Sequence, residues 1–490
     1  MEIILGPIVG ALSHQSAKIW IYWSQNSDEK DLPECEVFAD EKCTQPVMKA
    51  HFQPLSSAVY EEDNLRGMAG LVTAQWSGEY QQLYYKIYAP SFRQEQREQI
   101  YSFRPFPEAG QKIDSFSFAL ISCHRPTFCK GIDKYRVENM WQKLGDKMFA
   151  HDSRFLIQAG DQVYADKGPY NAWKACLKCD SPAQRLWYFR RVYLKSWSFP
   201  VVRRVLRHFP QYMIWDDHDI VNGWGSNREH RTSEKCLQAY DAARQAYVEF
   251  QHSHNPDSLR EGKFYYAFHY GPVAFLVLDI RGERDITCTD KNKGKPAYPL
   301  AGEQQWEDIR AWLNSDAVQA SKVLFVVSSV PVIHLNRNWV SLGFLKNDIR
   351  DQWSTNQNQR ERRILLTELF NWSGPNQRPV FILSGDVHVG TVGQMVDETS
   401  GQVVYQISSS PIANLPAFLL DFFIAYASSK FQFHLDEAHQ RPVRGIINKR
   451  YRRKNFAIIE VKFENDQPVV TLNMYRAGSA QPSVVEFKDF

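Results

Sequence analysis

Short apolar runs that end in polar residues recur along the chain after about residue 110. Phe116–Ile121, Arg154–Gln158, Tyr212–Trp215 and Val380–Ser384 are four of these runs, and stretches of helical periodicity such as Ser181–Phe209 separate them. Strands that alternate with helices are typical of α/β folds. Hairpin-like pairs of apolar runs later in the chain predict in addition a mixed sheet or two packed sheets.

The first hundred residues have a different pattern. Ala17–Trp23 and Gln82–Tyr88 alternate between polar residues and aromatic or β-branched residues, as half-buried strands do. We therefore predict a small β-sandwich domain there. The stretch Phe103–Lys112 contains two Pro and a Gly and indicates a linker. The predicted domains are residues 1–108, the β-sandwich, and residues 109–490.

Residues that can bind metal ions follow the apolar runs of the second domain. The clearest case is a row of four titratable side chains, Asp216 to Asp219, directly after Tyr212–Trp215. Ligands bind beyond the carboxyl ends of strands in open α/β sheets, and a multivalent cation would relieve the repulsion among such acids. A polar turn is the alternative for this row alone. Further ligand types follow the other runs, namely Cys123, Asp161, Tyr164, Asp386 and His388.

Each of these signals is weak alone, because a single Cys is usually buried core and a Gly-Asp pair is usually a turn. Four such strand ends in one α/β domain indicate a metal site far more strongly. The motifs are S-C-H at 122–124, G-D-Q-V-Y-A-D at 160–166, W-D-D-H-D-I at 215–220, L-D-I-R at 278–281 and G-D-V-H at 385–388. In order and spacing they resemble the metallophosphatase domain of PhoD-type alkaline phosphatases, over about residues 115–475.

The resemblance implies a fold and a set of cofactors. The fold is a metallophosphoesterase-type α/β-β/α sandwich, two packed mixed sheets flanked by helices, preceded by a small all-β sandwich. The resemblance also implies a dinuclear metal centre in which Asp161 bridges two ions. Cys123, Tyr164 and His388 would bind one ion, and Asp217 and Asp386 the other. Thiolate and phenolate suit ferric iron and an oxygen-rich site suits calcium, so iron plus calcium is the implied pair.

The resemblance and the chemistry of the side chains also suggest roles around the metals. His218 would act as general acid or charge stabiliser at the leaving group, with Asp219 orienting it and Asp216 supporting the ligands from outside. Arg281 could bind a phosphate oxygen, or form a structural salt bridge to Asp279 or Glu283. Asn222 could bind substrate, although Asn before Gly is usually a turn former. His334 is a possible further ligand.

We therefore predict a metal-dependent phosphoesterase that hydrolyses monoesters or diesters in phosphorylated small molecules or phosphodiesters. A binding or scaffold protein on the same fold is the alternative, and a nuclease is a third possibility. Leu415–Ala427 is apolar and could be a core helix or a wall for a lipid-like leaving group. Arg441–Lys454 is basic and could be a solvated face or contact anionic lipid or nucleic acid. No obligatory protein partner is expected.

Composition limits the remaining classes. The net charge is only +3 over 490 residues, whereas dedicated nucleic-acid-binding proteins are usually more basic. The eight cysteines are scattered and do not form a disulfide framework. The N-terminus has an apolar run but no basic region before it, which favours a cytoplasmic protein. An incomplete N-terminus would instead allow a secreted or periplasmic one.

Overall fold

The structure is a computed structural model. It describes residues 2–24, 31–56, 67–126, 132–290, 295–296, 298–334, 352–355, 357–375, 377–414, 430–436 and 440–488, with the backbone alone for residues 132–138, 289–290 and 295–296. The predicted apolar segment Leu415–Ala427 lies outside the described residues. The basic run Arg441–Lys454 forms most of a strand and the turn that follows it.

Two four-stranded sheets account for the first hundred residues. Their elements are β1 (Ile3–Leu12), β2 (Ser16–Ser24), β3 (Glu34–Phe38), β4 (Pro46–His51), β5 (Gln53–Pro54), β6 (Gly67–Gln75), β7 (Leu83–Tyr88), β8 (Tyr101–Phe103) and a short helix, α1 (Gln94–Glu98). The strand orders are β1-β2-β6-β5 and β4-β3-β7-β8, and these pairings are antiparallel. This confirms the predicted N-terminal all-β region.

Two larger sheets follow. Their strands, with a short two-stranded ribbon (β14 and β15), are β9 (Ser115–Ile121), β10 (Leu156–Ala159), β11 (Gln211–Ile214), β12 (Tyr266–Tyr270), β13 (Val273–Val277), β14 (Thr289–Asp290), β15 (Lys295–Pro296), β16 (Val323–Val327), β17 (Val380–Ser384), β18 (Gly390–Asp397), β19 (Val403–Ser408), β20 (Lys430–His434), β21 (Pro442–Tyr451), β22 (Asn455–Glu464), β23 (Gln467–Arg476) and β24 (Ser483–Phe487). One sheet has the order β11-β10-β9-β22-β23-β24, and the other β12-β13-β16-β17-β19-β18-β21-β20.

The helices of this part of the chain are α2 (Ile132–Ala150), α3 (Ala172–Cys176), α4 (Pro182–Trp197), α5 (Pro200–His208), α6 (Arg228–Thr232), α7 (Glu234–Phe250), α8 (Glu303–Leu313), α9 (Asp316–Gln319) and α10 (Gln359–Ser373). None of these helices combines the length and the hydrophobicity that crossing a bilayer requires.

The six- and eight-stranded sheets pack face to face through aromatic side chains. The ring of Phe118 on β9 lies 5.4 Å from that of Phe275 and 5.1 Å from that of Phe325 on the facing sheet. All three side chains are fully buried, and burying each contributes about 1.5–3 kcal/mol to the free energy of folding. Side chains of α8 and α10 cover the outer face of the eight-stranded sheet. This arrangement confirms the predicted sandwich of two mixed sheets flanked by helices.

Parallel strands bring the predicted site to one edge. β9, β10 and β11 run parallel to one another, so their carboxyl ends lie side by side. β13, β16, β17 and β19 are likewise parallel in the facing sheet. β22 runs antiparallel to β9, so its first residues lie at the same edge as the last residues of β9.

Two expectations about boundaries need comment. The predicted helical stretch Ser181–Phe209 is two helices, because Pro200 cannot continue a helix and disfavours helical backbone at the residue before it. The boundary at residue 108 stays a prediction. One hydrophobic core runs across it, and Trp20 of β2 packs against Trp197 and Phe250 of the helices.

Candidate metal centre

Four strand ends place their predicted ligands together. Donor atoms of Cys123, Asp161 and His388 all lie within 4.8 Å of one another, and so do donor atoms of Asp161, Asp216, Asp217 and Asp386. These residues follow β9, β10, β11 and β17. Asp161 belongs to both groups, so the geometry can accommodate two neighbouring ions. We call Cys123, Tyr164 and His388 the cysteine lobe, and Asp216, Asp217 and Asp386 the carboxylate lobe.

The backbone is strained where it presents these side chains. Four of the ten non-Gly residues with positive φ in the described chain are predicted ligands: Cys123 (58°), Asp161 (57°), Asp386 (60°) and His388 (53°). A side chain in this conformation costs free energy, and such residues cluster at functional sites. The strain turns each side chain out of its strand and towards the shared edge.

The glycine before each of two ligands permits a close approach. A Cβ on Gly160, whose φ is +89°, would lie 2.6 Å from the Cβ of Asp216. A Cβ on Gly385 would lie 2.3 Å from the Cβ of Ser122. The two Gly-Asp motifs therefore let neighbouring strand ends approach one another closely. This close approach excludes a side chain at either glycine, whereas a sharp turn alone would not.

Hydrogen bonds join the cysteine lobe into one cluster. The Tyr164 hydroxyl lies 2.9 Å from Asp161 Oδ2 and 3.1 Å from His388 Nε2. Ser410 holds the lobe from behind: its hydroxyl donates to Cys123 Sγ at 3.1 Å and accepts the His388 backbone N–H at 3.0 Å. The lobe is thus held together by hydrogen bonds that join a thiol, a phenol and an imidazole to the Asp161 carboxylate and to Ser410.

Charges organise the carboxylate lobe. The guanidinium of Arg281 pairs with Asp216, and it lies 3.8 Å from Asp217 Oδ1. Gly223 donates its backbone N–H to Asp217 Oδ2 at 2.6 Å, and Gln352 donates to Asp386 Oδ2 at 2.8 Å. The other oxygen of Asp216, Oδ2, is buried and has no hydrogen-bond partner in the described residues.

The supporting role predicted for Asp216 stays a prediction, but its side chain reaches the centre itself. Its side chain is fully buried and contributes an oxygen to the four-carboxylate group. A buried carboxylate oxygen without a partner is costly, and either a cation or a proton removes this cost; burial accordingly raises the pKa of Asp216. Asp216 is thus a candidate ligand beside Asp217, the ligand predicted on that strand.

His218 lies between the lobes. Its ring stacks on Tyr164 with 4.3 Å between the centroids, and its backbone N–H donates to Asp217 Oδ1 at 2.9 Å. Its Nδ1 is 2.8 Å from Asp166 Oδ1. Burial opposes protonation, but the carboxylates of Asp166, Asp217 and Asp161 outweigh it and raise the pKa of His218 to about 10. These carboxylates therefore favour the imidazolium form of the ring.

Asp219 does not make the contact with the His218 ring that its predicted orienting role requires. Its Oδ2 accepts the backbone N–H groups of Asp161 (3.0 Å) and Asp216 (2.8 Å), and its Oδ1 accepts from Gln251. The short 3-10 turn Asp217–Asp219 points this carboxylate back towards the strand ends. Asp166 contacts the His218 ring in its place. Asp219 instead ties two ligand-bearing strand ends together.

Arg281 and Asn222 differ in how far they can reach a substrate. Arg281 is fully buried, and its partner is Asp216, so the direct phosphate contact predicted for it does not fit. Arg281 does form a structural salt bridge, but its partner is Asp216 and not the predicted Asp279 or Glu283. Asn222 is half-buried beside the His218 pair, where its backbone N–H donates to Asp166 Oδ2 at 3.1 Å. His334 is buried and joins none of the ligand groups in the described residues.

Proton affinities differ between the two lobes. Burial, with the nearby Asp161, raises the pKa of Cys123 and of Tyr164 well above their ordinary values. Burial lowers the pKa of His388 to about 4, which leaves its imidazole neutral and able to bind a metal. Burial would raise the pKa of Asp217 too, but the charges of His218 and Arg281 hold it below its ordinary value.

The sequence interpretation missed three supporting residues. Asp166 is the second acid of the G-D-Q-V-Y-A-D motif, and an acid five residues after a ligand could have suggested it. Ser410 and Gln352 are single polar residues outside any motif, so the sequence contains no signal for them. A further cation, Arg125, is half-buried with its guanidinium 5.5 Å from the centroid of the Tyr164 ring.

Comparisons with known proteins agree with this geometry. The family model described as PhoD-like phosphatase matches residues 118–437. A solved structure of PhoD superposes on 99% of this chain and 88% of its own with a TM-score of 0.68 and 16% identity, which shows a shared fold. Alkaline phosphatase D of Bacillus subtilis is 24% identical over 332 residues, covering 61% of this chain and 51% of that protein.

A second curated relative has no assigned function. The uncharacterized protein YGR266W of Saccharomyces cerevisiae is 23% identical over 397 residues, covering 64% of this chain and 52% of that protein. The match to this chain thus spans about half the length of each of the two curated relatives.

Proposed function

The chain belongs to the PhoD-like phosphatase family, and on that premise we propose that it is a metal-dependent phosphoesterase that hydrolyses phosphate monoesters or diesters. One observation supports this proposal above the others. Three groups of potential ligand atoms, each within 4.8 Å, share the carboxylate of Asp161 at the carboxyl edge of two packed sheets; one of them includes His218. Pairs of neighbouring ions are a common solution for the in-line displacement of phosphoryl groups.

The residues present fit two different ions. Asp161 would be shared, the cysteine lobe would hold one ion, and the carboxylate lobe the other. A thiolate, a phenolate and an imidazole suit a ferric ion, whereas an all-oxygen set suits calcium. Iron in the cysteine lobe and calcium in the carboxylate lobe are therefore part of the proposal. When bound, the two ions would offset the charge of the phosphate oxygens and acidify an attacking water.

Side chains of the protein would supply the proton transfer. Asp166 holds His218 by Nδ1, so Nε2 is the nitrogen that remains to donate a proton to the leaving-group oxygen. The stack of His218 on Tyr164 fixes the plane of the ring. Arg125, beside the same Tyr164, replaces Arg281 as the proposed contact to a phosphate oxygen.

A phosphoester panel tests the function. The purified protein is loaded with iron and calcium and assayed with p-nitrophenyl phosphate and bis(p-nitrophenyl) phosphate, then again after chelation and after metal is restored. We expect hydrolysis of at least one ester, loss with chelator and recovery with metal. Full metal occupancy without hydrolysis of either ester would instead support a binding or scaffold protein.

A further inference from the structure

Asn414 is a buried polar side chain beside the cysteine lobe that lies outside all five sequence motifs. It follows β19 by six residues, and its side chain is 3% exposed. The preceding residue, Ala413, forms a β-bridge with His124 and donates its backbone N–H to the carbonyl of Cys123 at 3.3 Å. The backbone thus holds Asn414 next to the end of β9, where its amide can contact the cysteine lobe directly.

The amide of Asn414 contacts two of the predicted ligands at once. Its Nδ2 lies 3.0 Å from the hydroxyl oxygen of Tyr164 and 3.1 Å from Nε2 of His388. These two ligand atoms are themselves 3.1 Å apart. The three atoms therefore form a nearly equilateral triangle, with the nitrogen of the amide at one corner.

The size of this triangle matches one face of a metal coordination shell. Nitrogen and oxygen ligands stand about 2.1 Å from a small multivalent cation, so neighbouring ligands of an octahedral ion are about 3.0 Å apart. Asp161 Oδ2 continues the pattern, at 2.9 Å from the Tyr164 hydroxyl. The same lengths suit ordinary hydrogen bonds, so the role of the amide depends on what a cation in this lobe does to its partners.

A cation in the cysteine lobe takes an acceptor away from the amide. A neutral imidazole has one lone pair, and on His388 Nε2 this lone pair would go to the ion. The N–H group of Asn414 would then face an occupied nitrogen and a positive charge. An amide nitrogen has no lone pair for the ion, whereas the amide oxygen has two. A half-turn about χ2, a soft torsion in Asn, exchanges the two atoms.

We propose that Asn414 is a further ligand of the ion in the cysteine lobe, which it binds through Oδ1 after its amide has turned. The inference rests on the proposed function, because it completes the same metal centre. In the cation-free chain the amide nitrogen holds Tyr164 and His388 in place, and in the loaded protein the amide oxygen joins them. The cysteine lobe with Asp161 and Asn414 would then supply five ligands, and an octahedral ion would keep one position for water or a phosphate oxygen.

The competing role for Asn414 is that of a permanent N–H donor to Tyr164, without contact to the ion. Two substitutions of similar size distinguish these roles. Asn414→Asp keeps a side-chain oxygen for the ion but has no N–H to donate when it is ionised. Asn414→Leu removes both the oxygen and the N–H group.

Titration with ferric ion, supplied as its nitrilotriacetate complex to the cation-free protein, measures the affinity of the cysteine lobe. We expect Asn414→Leu to weaken iron binding about 100-fold, the upper end of what loss of a supporting contact costs. Asn414→Asp should bind iron at least as tightly as the wild type. The charge-transfer absorption of ferric iron with Tyr164 and Cys123 is the second readout. A carboxylate ligand should shift it to shorter wavelength, because an anionic ligand makes the iron harder to reduce.

Two controls separate a lost ligand from a lost fold. Asn314→Leu makes the same change at the exposed residue that follows α8, and it should leave iron binding unchanged. Titration with calcium reports on the carboxylate lobe, and both Asn414 variants should bind calcium as the wild type does. If Asn414→Leu loses calcium as well as iron, the iron affinity and the absorption of Asn414→Asp decide the question.

Three results would overturn the inference and leave the proposed function intact. Equal weakening of iron binding in both variants would mean that the amide acts only as an N–H donor. Unchanged iron affinity in Asn414→Leu would mean that the amide does not contribute. Tighter binding by Asn414→Asp without a shift in the absorption would mean that its charge acts through space. A wild-type protein that binds no transition metal would overturn the proposed function together with this inference.

Discussion

The cysteine lobe and the carboxylate lobe share Asp161, but the protein prepares them for a cation in opposite ways. In the cysteine lobe, burial keeps the protons on Cys123 and Tyr164, and uncharged hydrogen bonds from Ser410 and within the lobe hold the geometry. In the carboxylate lobe, Asp217 remains ionised beside His218 and Arg281. The side chains of the cysteine lobe are therefore uncharged. The carboxylate lobe carries negative charge that nearby positive groups offset in part.

This difference would give the two proposed ions unlike surroundings at one edge. A cation entering the cysteine lobe must displace the protons of a thiol and a phenol, so its affinity there falls as the pH falls. In the carboxylate lobe, the positive charge of Arg281 already offsets part of the negative charge. A cation entering there takes over only that part. We therefore expect the ion of the cysteine lobe to be retained during purification and that of the carboxylate lobe to exchange.

Asp161→Asn should have the largest effect, because its carboxylate belongs to both lobes. We expect loss of both ions and a fall in turnover of more than about 10⁴-fold, since each ion contributes several kcal/mol of transition-state stabilisation. Elemental analysis and the p-nitrophenyl phosphate assay measure the two quantities. Asp152→Asn is the control, because Asp152 also has positive φ (48°) and its side chain is exposed. A variant that keeps both ions would mean that Asp161 is not shared.

Cys123→Ser and Asp217→Asn should separate the lobes. Each variant should lose one ion and retain the other, and turnover should fall about 100- to 1,000-fold in each. In the wild type, a chelator selective for calcium should remove the carboxylate-lobe ion alone. Elemental analysis after gel filtration reports which ion remains. Loss of both ions in both variants would show that the lobes do not bind independently.

His218→Ala should leave both lobes occupied and lower turnover about 100-fold, because it removes the proposed proton donor. The readout is the dependence on the leaving group: esters of p-nitrophenol need little protonation, whereas alkyl esters need it fully. We expect the alkyl esters to lose most of their rate and the p-nitrophenyl ester much less. Asp166→Asn should show the same pattern with a smaller loss. An equal loss for both ester classes would assign His218 a structural role.

The sequence predicted those parts of the molecule whose signals repeat along the chain. Apolar runs of strand length ending in Cys, Asp or His were enough to indicate an α/β architecture and to nominate residues from four strand ends. The sandwich of two packed sheets was implied by the resemblance to PhoD-type phosphatases. The structure brings these residues together at one edge, and their individual roles stay predictions. The alternation of strands with helices does indicate parallel strands, whose carboxyl ends share one edge. The register and the order of the strands come only from the structure.

Contacts that depend on side-chain direction were not predictable. Asp219 was expected to orient His218 because the two are adjacent, but a 3-10 turn directs them to opposite sides and Asp166 reaches the ring instead. Arg281 was expected either to bind a phosphate oxygen or to pair with its sequence neighbours Asp279 or Glu283. Its partner Asp216 is 65 residues away, and only the packing of the two sheets brings them together.

The smallest predicted effects come from the residues behind each lobe. Ser410→Ala removes the hydroxyl that contacts Cys123 Sγ and the His388 backbone, and Gln352→Leu removes the donor to Asp386 at 2.8 Å. Each should weaken metal affinity about 10- to 100-fold in its own lobe and leave the other unchanged, with turnover restored at saturating metal. Titration of the apoprotein with each metal measures this. Ser410→Ala could instead weaken metal affinity equally in the carboxylate lobe. In that case Asp161 couples the lobes so tightly that they bind metal as one unit, and the division between a neutral and a charged lobe no longer describes the centre.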